Sequence, residues 1–277
     1  MRDFKNAKDF RSQSAMEYLM TYGWSILVIA IAMGLLFQLG VLNPANFGPR
    51  AQPGNCKVVR IAGEANDEGT CGTLPESVAQ FNGASSYVRL NNPFSTSWYF
   101  YWKHGSAKTV WAGIASSGVY STATLPLNGW SHVCFTYSSV PGTVNVYANG
   151  APAGSGSVSG GSTESVCVWI YPTSSTMGDF VGSQDSTTYA LIGARDSSTD
   201  LFQGSVSNVQ IYNTTLDANQ ISALYQEGIG GAPVAPQYII GWWPLNGDAN
   251  DYSGNNNNGA PTSIVFTSAW TGGYTTP

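Results

Sequence analysis

The sequence predicts a mainly β protein in which an N-terminal hydrophobic α-helix precedes a β-sandwich. Residues 18–49 contain no charged residue, which favours a long apolar helix. Beyond residue 54, short apolar and β-branched segments alternate with Gly, Asn, Pro and Ser, a spacing typical of sandwich strands and turns. Charged residues make up only 10% of the chain, against about 25% in ordinary globular proteins. The expected surface is therefore rich in hydroxyl and amide groups.

The chain begins with a basic leader, residues 1–12, which contains Arg2, Lys5, Lys8 and Arg11. The positive-inside bias keeps such a segment in the cytoplasm. A hydrophobic transmembrane or pilin-core helix is predicted over residues 13–43. Its apolar part, residues 24–42, is long enough to cross most of a ~30 Å hydrocarbon layer, and Pro44 ends the helix. This order places the remainder of the chain outside the cell.

Three interpretations of this region differ in the fate of the helix. A cleaved secretory signal is disfavoured, because its apolar core usually spans about 7–15 residues. A permanent single-span anchor and a pilin-type leader whose helix survives processing both stay open. Glu17 separates these two, since a carboxylate beside an apolar run is costly to bury unless it is paired. Cleavage after Ser12 would give Gln13 a charged α-amine that can pair with Glu17.

With Ser12, Gln13 and Glu17 in this order ahead of the apolar helix, residues 1–45 resemble the class III leader of archaeal type IV pilin-like proteins. The resemblance implies that a leader peptidase cuts between Ser12 and Gln13. It also implies self-association in a filament, in which Glu17 neutralises the amine of a neighbouring subunit. The expected location is the cell membrane with an extracellular domain, or an extracellular filament.

The formal net charge of −5 limits the class of partner. Four of the eleven basic residues lie in the leader, so its removal would leave a still more acidic domain. Such a domain repels the phosphate backbone, and nucleic acid is therefore excluded as a partner.

Four cysteines in a chain placed outside the cell predict disulfide bonds. We favour Cys56–Cys71, which would close a hairpin over residues 57–70 within a linker segment, residues 44–77. The second favoured pair is Cys134–Cys167, for which buried free thiols are the alternative. A metal site is disfavoured, because the sequence has no C-x-x-C motif.

Beyond the linker, strands are predicted at residues 86–90, 143–147, 189–192 and 205–212, and a short helix at residues 216–225 with Asp217 as its N-cap. The motifs along this part are Phe-Asn-Gly at 81–83, Gly-Trp-Ser-His at 129–132, Tyr-Ala-Asn-Gly at 147–150, Leu-Ile-Gly at 191–193 and Phe-Gln-Gly at 202–204. In this order they resemble the laminin-G-like, concanavalin A-like jelly-roll domains. The resemblance implies a jelly roll over residues 78–277, which serves as a lectin, a protein binder or a spacer.

The C-terminal segment, residues 237–277, contains a strand and loop at residues 241–254 that are similar to the opening of the same family. In that family they precede the Phe-Asn-Gly motif, whereas here they come last. A circular permutation, in which this strand completes the sheet of its own chain, is the favoured explanation. Exchange of the strand with a neighbouring subunit and a truncated second repeat are the alternatives. Residues 228–236 are expected to form the flexible linker that allows the return.

No catalytic motif occurs in the sequence, so the protein is not expected to be an enzyme. A glycosidase would need a pair of carboxylates. The outer acids belong mostly to polar stretches, where we expect them to be solvated; they include Glu164, Asp179, Asp185, Asp196 and Asp200.

Three kinds of binding site have candidates in the sequence. Ca²⁺ is the candidate cofactor, because Asp248, Asn250 and Asp251 offer hard oxygen ligands in a tight loop, with a structural Asx turn as the alternative. For a saccharide, period-two alternation within residues 98–102 puts Trp98, Phe100 and Trp102 on one face and Tyr99 and Tyr101 on the other, so one of these faces is a candidate stacking platform. Asn213 begins an N-x-Thr sequence and is a candidate glycan acceptor.

The sequence thus favours a membrane-tethered surface protein, a type IV pilin-like subunit that displays a glycan- or ligand-binding domain for adhesion. Two alternatives stay open: a structural filament subunit without a ligand, and a monomeric single-span anchored lectin-like protein.

Overall fold

The computed structural model describes residues 20, 22–32, 57–59, 67–70, 74–91, 98–103, 108–114, 117–176, 178–183 and 189–277. The chain divides into two compact units, Met1–Arg50 and Ala51–Pro277.

In the first unit, residues 22–32 form helix α1. Every described residue of this helix is exposed, and its large apolar side chains are between 50% (Leu27) and 67% (Trp24) exposed. Within the described residues, no helix has both the length and the apolarity needed to span a bilayer. The remainder of the predicted helix 13–43 lies outside the described residues, as do Ser12, Gln13 and Glu17.

The second unit contains seventeen strands within its described residues. They are β1 Lys57–Val59, β2 Asp67–Thr70, β3 Val78–Asn82, β4 Tyr87–Asn91, β5 Trp98–Lys103, β6 Thr109–Ile114, β7 Ser117–Tyr120, β8 Ser131–Ser138, β9 Thr143–Ala148, β10 Ala151–Ser157, β11 Glu164–Pro172, β12 Gly178–Ser183, β13 Tyr189–Ile192, β14 Gln203–Tyr212, β15 Ile239–Trp243, β16 Gly259–Thr262 and β17 Val265–Thr267. Helix α2, Ala218–Glu227, and a 3₁₀ turn, Pro236–Tyr238, lie between β14 and β15.

The described strands form two large antiparallel sheets and one small hairpin. The eight-stranded sheet has the order β10-β9-β8-β11-β14-β3-β17, and β15 also pairs with β14. The seven-stranded sheet has the order β16-β4-β13-β12-β5-β6-β7. Strands β1 and β2 pair only with each other. The predicted mainly β sandwich of jelly-roll type is confirmed.

The C-terminal segment pairs with strands of its own chain. Strand β15 lies beside β14, β17 beside β3, and β16 beside β4, so the segment contributes to both sheets. The circular permutation itself stays a prediction.

The main core lies between the two sheets. It is formed by the inward positions of both, and its aromatic centre is Phe100, which meets Phe135 at 5.3 Å and Phe180 at 4.7 Å between ring centroids. Gly193 has φ +85°, and a Cβ there would stand 2.1 Å from the ring of Phe81. Gly193 of the Leu-Ile-Gly motif therefore leaves room for the ring of Phe81, the first residue of the Phe-Asn-Gly motif in β3.

Helix α2 covers the outer face of the eight-stranded sheet. Asp217 caps it as predicted, because its carboxylate accepts the Gln220 backbone N–H while the Gln220 side chain accepts the Asp217 N–H. Its apolar side, Ile221 and Leu224, is buried against the sheet. The segment 228–236, which we expected to be a flexible linker, packs under this cover: Ile229 and Ala235 are each 1% exposed. Because burial of these apolar side chains is favourable, it holds the segment in one conformation.

Candidate functional site

The candidate functional site lies on the outer face of the seven-stranded sheet, the face turned away from the main core. The register aligns Asp179 of β12 with Tyr101 of β5, Tyr101 with Trp111 of β6, and Trp111 with Tyr120 of β7. We call these four positions the cross-strand row. Neighbouring strands lie about 4.8 Å apart, so the row spans about 14 Å. It joins aromatic residues at one end to a carboxyl group at the other.

Alternation along the strands assigns the row to the outer face. Val110 and Ala112 are buried in the main core, so Trp111 between them belongs to the opposite side. Phe100 is likewise a core residue, which places position 101 of the same strand on the outer face. The side chains of the predicted platform residues Trp98, Tyr99, Tyr101 and Trp102 lie outside the described residues.

The aromatic end of the row has a buried ring beside an exposed one. A Cβ on Gly113 or Gly118 would stand 2.4 Å from the indole of Trp111, which therefore lies over these two glycines. The ring centroids of Trp111 and Tyr120 are 6.5 Å apart. Trp111 is 8% exposed and Tyr120 is 44% exposed. Trp111 thus packs against Tyr120, which is the more exposed ring of the pair. In the sequence, the only signal of this contact is Gly113 two residues after Trp111.

The polar end of the row contradicts our expectation that its acid is solvated. Asp179 is 2% exposed, its Oδ2 has no hydrogen-bond partner, and its backbone N–H donates to the carbonyl of Asp200 at 2.8 Å. Burial, and next the negative charge of Asp200, raise the pKa of Asp179 well above its ordinary value. Glu164 is also buried, at 4% exposure, and burial raises its pKa to about 8. Asp179 belongs to β12 and Glu164 to β11, and at both positions the surrounding protein excludes water from the carboxyl group. Asp185 lies outside the described residues.

The loop between β13 and β14 puts charged groups next to Asp179. Arg195 Nη1 lies 3.4 Å from Asp200 Oδ2, and the Arg195 side chain is half exposed. Asp196 accepts hydrogen bonds from the backbone and hydroxyl groups of Ser198 and Thr199, led by the Thr199 hydroxyl, and these lower the pKa of Asp196 to about 2. The loop thus brings a half-exposed guanidinium and two partly exposed carboxylates to the polar end of the row.

The opposite side of the same face carries a second aromatic contact. The guanidinium carbon of Arg89 lies 4.4 Å above the ring of Tyr189, a cation–π pair between β4 and β13. Arg89 is exposed.

The predicted calcium loop is held together by its own hydrogen bonds. Asp251 is fully buried; its Oδ1 accepts the N–H groups of Trp242 and Ser253, and its Oδ2 accepts that of Asn257. Asp248 accepts the Asn250 backbone N–H and side-chain amide as well as the Tyr252 hydroxyl. These oxygens face N–H and O–H donors, so the residues fit the Asx turn and not a Ca²⁺ ion.

The other predicted residues lie apart from the cross-strand row. Asn213 is exposed at the end of β14, as a glycan acceptor requires. The disulfide Cys134–Cys167 is confirmed and lies under helix α2. Cys56 and Cys71 lie outside the described residues.

One group of three metal-ligand side chains occurs within the described residues: His132, Cys134 and Cys167. Burial lowers the pKa of His132 to about 3, so its imidazole is neutral in the folded protein.

Residues 74–166 match the Laminin_G_3 family model, described as the concanavalin A-like lectin/glucanases superfamily. No curated protein matches the chain in sequence. Among solved structures, a candidate carbohydrate-binding protein from Bacteroides ovatus is 17% identical, with a TM-score of 0.41, over 71% of this chain and 54% of its own. The chain thus spans about half the length of that protein. The heptameric SAP-like pentraxin of Limulus polyphemus is 14% identical, with a TM-score of 0.42, over 70% of this chain and 96% of its own.

Proposed function

We propose that the protein is a cell-surface subunit that binds an oligosaccharide on the outer face of its seven-stranded sheet, while its N-terminal helix holds it to the membrane or to copies of itself. The cross-strand row, with Trp111 packed beside an exposed Tyr120, is the observation that carries the saccharide part. The role that follows is adhesion. Catalysis is not part of the proposal.

The chemistry of the row suits a sugar chain better than a compact ligand. A pyranose ring has an apolar face that stacks on an aromatic ring and a rim of hydroxyl groups that needs donors and acceptors. Tyr120 supplies the ring, and Arg195 and Asp200 supply polar groups near the other end. Among the described side chains of the row, Tyr120 is the exposed one, so the sugar contact that we propose is centred on its ring.

Helix α1 is the feature that supports the proposed attachment to a membrane or to other copies of the chain. Its exposed apolar side chains extend around the described helix, from Tyr22 to Ile31, and an all-apolar helix is stable only under lipid or protein cover. A pilin-like route would place Gln13 at the new N-terminus and Glu17 opposite the amine of a neighbouring subunit. The same helix in a bilayer would give a monomeric anchored protein instead.

A glycan array tests the saccharide part. The full chain in mild detergent is applied with and without Ca²⁺, beside the variants Tyr120→Ala and Tyr238→Ala. Tyr238 is the matched control, because it is 45% exposed and belongs to the turn before β15. We expect one class of oligosaccharide to bind, binding to be weakened about tenfold or more in Tyr120→Ala, and binding to persist unchanged in Tyr238→Ala. Failure of every array sugar to bind would leave a filament subunit without a saccharide ligand.

Glu17→Gln tests the assembly part, measured as the amount of protein in filaments sheared from cells. If Glu17 pairs with a neighbouring amine, the variant stays in the membrane fraction and disappears from the sheared fraction. Equal amounts in both fractions for variant and wild type would favour the anchored monomer. N-terminal sequencing of the sheared protein reports whether the chain begins at Gln13.

A further inference from the structure

His132, Cys134 and Cys167 meet on the outer face of the eight-stranded sheet, far in the fold from the cross-strand row. Cys134 and Cys167 are direct partners of β8 and β11, with Cα atoms 4.1 Å apart. His132 precedes Cys134 by two residues, so strand alternation puts it on the same face. His132 and Cys134 of β8 therefore meet Cys167 of β11 at one place on the sheet.

The imidazole lies at ligand distance from Cys134 Sγ, while the two sulfur atoms are bonded to each other in the disulfide. The Sγ and imidazole nitrogen atoms of the three residues all lie within 4.8 Å of one another, and His132 Nε2 is 3.6 Å from Cys134 Sγ. Zn–S bonds of about 2.3 Å and Zn–N bonds of about 2.0–2.1 Å at a tetrahedral angle place the two ligand atoms about 3.6 Å apart. The histidine is therefore already at ligand distance from the sulfur.

The surroundings suit a neutral complex. All three residues are buried, and His132 Nδ1 has no hydrogen-bond partner. Tyr225 stacks on the imidazole at 6.1 Å between centroids, Trp169 lies against it at a tilt at 5.2 Å, and the two rings hold the imidazole in place. Two thiolates and one Zn²⁺ carry no net charge, which limits the cost of burial.

We propose that His132 and the reduced forms of Cys134 and Cys167 are a latent site for a thiophilic d¹⁰ cation such as Zn²⁺, and that the disulfide closes it. A thiol or phosphine reductant supplies two electrons to the S–S bond, and each sulfur takes up one proton. The ion then displaces these two protons and binds two thiolates and the imidazole. The chain can thus stabilise this sheet by a metal under reducing conditions and by a disulfide under oxidising ones.

The test uses the full chain with Cys56→Ser and Cys71→Ser, so that only the buried pair contributes thiols. After anaerobic reduction with a phosphine, Zn²⁺ is titrated against a chromophoric chelator, and Co²⁺ reports thiolate ligation by its charge-transfer absorption. We expect one equivalent of Zn²⁺ to bind the reduced chain and none to bind the oxidised chain. His132→Phe keeps an aromatic ring against Trp169 and Tyr225 and is expected to weaken Zn²⁺ binding at least about 100-fold, since changes outside the ligand shell alone cost about 10–100-fold.

The matched control is His104→Phe at the other histidine of the chain, which should bind Zn²⁺ like the parent. Near-UV circular dichroism follows the fold. If reduction unfolds the chain, recovery of the signal on addition of Zn²⁺ supports the site, and no recovery overturns it. Absence of Zn²⁺ uptake by the folded reduced chain, or equal uptake by His132→Phe, also overturns it.

Discussion

Glu164→Gln is expected to change how the stability of the fold depends on pH. Glu164 begins β11 opposite Tyr137, is 4% exposed, and its Oε2 has no hydrogen-bond partner. Burial raises the pKa of its carboxyl from 4.5 to about 8. Between these values the unfolded chain releases the proton while the folded chain retains it. The free energy of unfolding of the wild type therefore falls as pH rises through this window.

The magnitude follows from the width of the window. Each pH unit between the two pKa values costs about 1.4 kcal/mol, so the full effect approaches an upper limit of about 5 kcal/mol near pH 8. Below pH 4.5 the neutral glutamine resembles the protonated acid, and variant and wild type should be about equally stable. His132, whose lowered pKa acts in the opposite direction below pH 6.5, is present in both chains, so its contribution cancels in the difference.

The assay is equilibrium unfolding by urea at a series of pH values from about 4 to about 9, with the disulfide intact. We expect Glu164→Gln to become progressively more stable than the wild type as pH rises, and the difference to level off above pH 8. Glu76→Gln, at an exposed carboxyl group, is the matched control. A difference between Glu164→Gln and wild type that does not change with pH would refute the reasoning.

Three further variants test the packing, each by urea unfolding beside the wild type. Joint replacement of Cys134 and Cys167 by Ser opens a loop of sequence separation 33 and should cost about 4 kcal/mol on the chain-entropy estimate; a loss below about 1 kcal/mol would contradict it. Gly193→Ala should cost at least about 2 kcal/mol, because it strains a positive φ and meets the Phe81 ring, whereas an unchanged midpoint would contradict that contact. Asp251→Ala leaves three N–H groups without an acceptor and should cost about 3 kcal/mol, while Ca²⁺ or a chelator should leave the wild-type melting temperature unchanged; a rise with Ca²⁺ would restore the calcium interpretation.

The sequence was sufficient to predict features that depend on interactions between residues close together in the chain. Asp217 could be predicted as a helix cap because capping depends on residues three positions apart. The burial of Asp179 could not be predicted, because it depends on the pairing of β12 with β5 and on the loop that brings Asp200 to its backbone. The alignment of Trp111 with Tyr120 likewise requires the register of β6 on β7, which alternation alone does not determine.

The central claim, that a sugar chain binds along the cross-strand row, is tested most directly by the dissociation constant of the strongest array sugar. We expect Tyr120→Ala to raise this constant about tenfold or more, equivalent to about 1.4 kcal/mol of lost stacking, and Tyr238→Ala to leave it unchanged. Equal constants for wild type and Tyr120→Ala would contradict the claim.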